Sequence, residues 1–147
     1  MTNKISIVFL ITMLFGSADY VAAHCEVPCG IYADQRRFES MLEDQATIVK
    51  AMEQIQLLAE KDDAQSHNQL ARWVSTKEVH ATTTQQVIAQ YFMIQRIKPT
   101  SSDYVKQLTT AHVVMVAAMK CKQNVDAIHA EALKKAIVAF HAAYEGK

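Results

Sequence analysis

The 147-residue chain has only 3 glycines, 2 prolines and 1 tryptophan. Between Gly30 and Gly146 there is no glycine, and Pro99 is the only proline in that span. Few turns can be built from such a composition, which excludes hairpin-rich β architectures and favours packed helices. Charge of either sign is not in excess, with 15 basic and 15 acidic residues. There is no basic run of the kind that holds nucleic acid, and no acidic tail. Without a net field, any attraction for an anion must come from a local patch. No apolar run approaches the roughly 20 residues of a membrane span. The length fits one domain.

The start of the chain differs from the remainder. Lys4 precedes the apolar stretch ISIVFLITMLF at 5–15, followed by GSADYVAA. A basic lead, a short apolar core and small residues ahead of a cut describe a secretory leader. Val21 and Ala23 fit the −3 and −1 positions, so residues 1–23 are expected to be removed and 24–147 to form the working domain. His24 then becomes the first residue. No stable membrane association is expected after the cut, and the leader points to a periplasmic or secreted protein.

Beyond it, apolar residues recur three and four apart, which is the spacing of one helical face. The first series is Phe38, Met41, Leu42, Ile48, Val49, Met52, Ile55, Leu58 and Ala59, with Asp34 as a candidate cap. The polar stretch KDDAQSHNQ at 61–69 predicts a turn. A second helix then carries Leu70, Trp73, Val74, Ala81, Val87, Ile88, Tyr91, Phe92 and Ile94, interrupted by the weak helix formers Thr82, Thr83 and Thr84. Pro99 and SSD at 101–103 close it and open the third, with Tyr104, Val105, Leu108, Val113, Val114, Met115, Ala118 and Met119. KCKQN at 120–124 predicts a bend or short loop. The fourth carries Val125, Ile128, Ala132, Leu133, Ala136, Ile137, Phe140 and Tyr144. Four amphipathic helices with short links predict an all-α antiparallel four-helix bundle, preceded by an irregular N-terminal hook. The seven methionines read as core filling.

The chemistry concentrates in HCEVPCGIY at 24–32. Cleavage before His24 frees an α-amine with a reference pKa of about 8. That amine, the His24 imidazole and the Cys25 and Cys29 sulfurs put four donors on six residues. The amine and the Cys25 amide nitrogen can close one chelate ring, and the Cys25 thiolate another. Ligands joined in this way favour a planar site, which points to Ni(II) or Cu(II) rather than tetrahedral zinc. A Cys25–Cys29 disulfide is the competing reading for an exported chain. His67, His80, His112, His129 and His141 form no i, i+4 pair and read as surface or packed residues. Cys121 is either a buried small apolar residue or a reactive exposed thiol.

His24-Cys25-Glu26-Val27-Pro28-Cys29-Gly30-Ile31-Tyr32 resembles the H-C-x-x-P-C-G-x-Y hook of nickel-containing superoxide dismutases and matches every fixed position. Glu26 stands where many members carry Asp. The resemblance implies an oxidoreductase that converts superoxide to dioxygen and hydrogen peroxide by Ni(III)/Ni(II) cycling, with one nickel ion per subunit. It implies Ni(II) ligation by the His24 amine, the Cys25 amide nitrogen and the Cys25 and Cys29 thiolates. It gives the His24 imidazole as an axial ligand to Ni(III) and Tyr32 as a gate for small anions. It further implies a homohexamer and a protease that removes the preceding residues. Since some members lose a pro-segment without export, a cytoplasmic location is the alternative. Glu39 is the candidate partner for the His24 ring, Arg72 and His80 could complete a charge network, and Tyr91 could approach the site through subunit packing. The other functional readings are an exported nickel- or copper-binding module without turnover, and a helical interaction protein with a disulfide-closed tip.

Overall fold

The computed structural model describes residues 34–146. The leader and hook, 1–33, lie outside the described residues. Four helical rods follow one another: α1 (Asp34–Leu58), α2 (Ala64–Gln86) with a π-helical continuation (Val87–Arg96), α3 (Tyr104–Gln123) and α4 (Ala127–Tyr144). No strand occurs among the described residues.

Side-chain bonds between rods fix their directions. Along α1, Asp34 meets Tyr144, Gln45 donates to the Ala130 carbonyl at 3.1 Å and Gln56 donates to the Val125 carbonyl at 2.8 Å. Rising numbers on α1 meet falling numbers on α4, so the two are antiparallel. The same reversal pairs Asp34 with Tyr91 and Asp44 with His80 on α2. It pairs Gln85 with Met115 and Lys77 with Cys121 between α2 and α3. The result is the expected antiparallel four-helix bundle, with each rod packed on its sequence neighbour and α4 closing on α1.

The turns sit differently from the sequence expectation. α2 begins at Ala64, within the polar stretch 61–69, because Asp63 caps it: its carboxylate accepts from the Ser66 amide at 2.9 Å and the Ser66 hydroxyl at 2.6 Å. The three threonines stay helical. Thr82 and Thr83 donate to carbonyls one turn back, at 2.8 and 3.0 Å, and Thr84 is fully buried. α3 runs through 120–123, since the ammonium of Lys77 supplies donors to the Cys121 carbonyl (2.8 Å) and the Lys122 carbonyl at its C-terminal end. α4 begins at Ala127, capped by Asp126, whose carboxylate accepts from the Ile128 amide at 3.0 Å.

The core runs through Phe38, Met41, Ile48, Met52, Ile88, Phe92, Val114, Leu133, Ile137 and Phe140. Met41 and Met52 fill it as expected, whereas Met119 is exposed. Several residues of the predicted apolar faces also remain outside, with Val105 72 % and Ile128 66 % exposed. At the end of the bundle where α1 starts, Phe92 meets Phe140 edge-on at 5.0 Å, and Phe38 packs on Phe92 at 4.7 Å. Aromatic pairs of this kind add stability beyond area burial.

Candidate metal centre

The predicted site residues His24, Cys25, Cys29 and Tyr32 lie outside the described residues. The structure does describe what the hook joins. Asp34 is the first residue of α1, two positions after Tyr32. It does not spend its carboxylate as a simple cap. Oδ1 accepts from the Tyr91 hydroxyl and from Arg96, whose Nε lies at 2.9 Å and Nη2 at 2.8 Å. Oδ2 accepts from the Tyr144 hydroxyl at 2.6 Å.

The π-helical winding of Val87–Arg96 makes this convergence possible. Hydrogen bonds that reach five residues back, such as Ile97 N–H to the Phe92 carbonyl at 2.8 Å, bring side chains five apart onto one face. Tyr91 and Arg96 are such a pair. The Arg96 guanidinium carbon lies 5.2 Å from the Tyr91 ring centroid, and that of Arg37 lies at the same distance. Partial burial alone would raise the Asp34 pKa. The bonds from Tyr144, Tyr91 and Arg96 outweigh it and hold the carboxyl below its ordinary value. Burial, reinforced by the Asp34 carboxylate, raises both tyrosines above the usual phenol range.

Glu39 and His80 bond to other partners. Glu39 is exposed on α1 and accepts from Gln35 Nε2 at 3.1 Å. His80 Nδ1 lies 2.7 Å from Oδ1 of buried Asp44, whose Oδ2 accepts from Thr84 at 3.4 Å. Burial pushes the Asp44 carboxyl up despite these partners. Arg72 is exposed near the opposite end of α2, roughly 28 Å along the rod from Tyr91 at 1.5 Å per residue. Within one chain, Tyr91 bonds to Asp34, two residues beyond Tyr32, whereas Arg72 and His80 lie further along the α2 rod.

Among the described residues no group of three or more His, Cys, Asp or Glu could hold a metal ion. Cys121 is free and fully buried, and burial pushes its thiol up to about 11, so it is no thiolate donor at neutral pH. This settles it as a packed small apolar residue. The remaining cysteines, Cys25 and Cys29, are those of the hook.

The sequence matches the family model for nickel-containing superoxide dismutase over residues 19–147. The chain belongs to that family. Its activity is that of an oxidoreductase acting on superoxide, with nickel as cofactor. No curated protein and no solved structure matches the chain. In this dismutase the hook motif is followed closely by a cluster of four residues, Asp34, Tyr91, Arg96 and Tyr144, of which the sequence singles out only Tyr91 as a site candidate. In the sequence Asp34 has the character of a helix cap, Tyr144 continues an apolar stripe, and Arg96 belongs to no motif. The usable signal was position: Asp34 stands next to the motif, and antiparallel packing carries Tyr91, Arg96 and Tyr144 to the same end of the bundle.

Proposed function

We propose that the dismutase works at a processed N-terminus. Removal of residues 1–23 makes His24 the first residue, and nickel is held by the His24 amine, the Cys25 amide nitrogen and the Cys25 and Cys29 thiolates. Nickel bound there supplies the one-electron oxidation of one superoxide to dioxygen and the one-electron reduction of a second, with two protons, to hydrogen peroxide. The chain's residues make that exchange possible. Electron-rich thiolate and amide donors lower the potential into the useful range. The His24 ring joins as a further ligand, and Tyr32 restricts approach to small anions. The same thiolates are open to oxidation by peroxide, so a narrow approach protects them.

The observation that carries this reading is the family match, which begins at residue 19 and takes in the whole H-C-x-x-P-C-G-x-Y stretch. A homohexamer is the assembly that the family resemblance implies. A leader-removing protease and a periplasmic or secreted location follow from the leader. Among the described residues no helix is long and apolar enough to cross a membrane.

Superoxide decay, measured with and without nickel, separates a dismutase from a metal-binding module. Cys25→Ser and Cys29→Ser are each expected to abolish nickel-dependent decay with the helical circular dichroism unchanged. One residue added ahead of His24 removes the free amine and is expected to do the same. Substantial turnover in any of the three argues against the ligand set.

A further inference from the structure

We propose that Asp34, clamped by Tyr91, Arg96 and Tyr144, is a positioning residue that fixes where the nickel hook leaves the bundle. The proposal rests on the reading that the hook is the nickel site, and adds how a short terminal segment is held in place.

The clamp is more than a helix start requires. One carboxylate takes four donor groups from two other rods: the Tyr91 hydroxyl, Arg96 Nε and Nη2, and the Tyr144 hydroxyl. The donor rings are themselves fixed. Tyr91 lies edge-on to Phe92 at 5.2 Å, and Tyr144 packs against Phe92 at 5.2 Å and Phe38 at 5.7 Å. Tyr91 is 4 % exposed. The first backbone unit of α1 is therefore tied to the aromatic end of the core rather than left to fray.

Chain reach links this to the metal. At about 3.6 Å per residue, Cys29 can lie no further than about 18 Å from Asp34, and Tyr32 no further than about 7 Å. A fixed root removes one source of play from the segment beyond it, and a metal site tolerates little error in ligand placement. Tyr144 makes the last turn of the chain part of this support, although it lies 110 residues away from Asp34 in sequence.

The test uses nickel-loaded protein that begins at His24. Asp34→Ala, Tyr144→Phe and, at the opposite end of the bundle, Lys77→Met are compared with the unaltered chain. Two quantities are read: the rate of nickel loss to excess EDTA, and the thiolate-to-nickel absorption band. Asp34→Ala is expected to lose nickel about tenfold faster and Tyr144→Phe about threefold faster, each with a shifted band. Lys77→Met is expected to unfold at lower denaturant yet release nickel at the unaltered rate. If Asp34→Ala does not fold, Tyr144→Phe decides, because it keeps the packed ring and removes only the hydroxyl. Unchanged release and an unchanged band in the variants of the clamp would overturn the proposal. So would equally fast release from Lys77→Met, since loss would then follow stability alone. Absence of nickel from the unaltered chain would instead overturn the hook reading on which this rests.

Discussion

The Tyr144 hydroxyl, in the last turn of α4, donates to the Asp34 carboxylate, at the first position of α1, across 2.6 Å. The bond closes the ring of four rods at the end where the N-terminal segment enters. It also makes one part of the fold sensitive to acid.

Asp34 has a folded pKa below its ordinary 3.8. The unfolded chain therefore takes up the proton first as pH falls. The clamp contributes in full above that ordinary value and is lost as pH drops through the lowered folded value. Asp44 has the opposite sign. Its carboxyl is raised by burial, so its contribution grows as pH falls and is lost as pH rises through the folded value. Unfolding free energies from urea titration of Asp34→Asn and the unaltered chain should differ by about 1.5–3 kcal/mol at neutral pH, the range for hydrogen bonds to a charged group. The gap should close on the acid side of the lowered pKa. A gap that does not change with pH would show that the charge on Asp34 does not matter to the clamp.

Lys77 is a second buried charge, 3 % exposed, with its ammonium on the Cys121 and Lys122 carbonyls and beside Glu78 at 3.2 Å. Truncating it leaves the end of α3 without its donors. Lys77→Met should cost about 1–3 kcal/mol in denaturant unfolding. Hydrogen exchange should quicken in the last turn of α3 before it does elsewhere. A midpoint equal to that of the unaltered chain would show that water serves those carbonyls equally well.

The three cysteines give a count that reads the metal state directly. Cys121 is buried, with its thiol at about 11, and should not react with an alkylating agent in the folded protein. Nickel-loaded protein should therefore show no reactive thiol, metal-stripped and reduced protein two per chain, and unfolded protein three. Two reactive thiols in the nickel-loaded protein would place the metal elsewhere.

The helices were legible because spacing alone places Phe38, Met41, Ile48 and Met52 on one face, and each is buried. Their ends were less so. The stretch at 61–69 is polar apart from Ala64, yet the capping bonds of Asp63 start α2 inside it. Lys77 and Thr84 are buried polar residues on an apolar face, which hydropathy cannot foresee because their partners come from other rods. Val105 and Ile128 match the periodicity but lie outside, since a single bundle has no room on its inner face for every apolar residue of four long helices. The hook motif named the chemistry from nine residues. The clamp behind it stayed hidden because it depends on a change of helical winding at Val87–Arg96, and a 3.6-residue period carries no trace of that.

Terminal sequencing together with metal analysis of protein purified from its native cell tests most directly whether cleavage creates the metal site. His24 as the first residue and one nickel ion per chain are expected. Nickel-bearing protein that keeps residues 1–23, or mature protein with Cys25 joined to Cys29 in a disulfide and no nickel, would contradict that expectation.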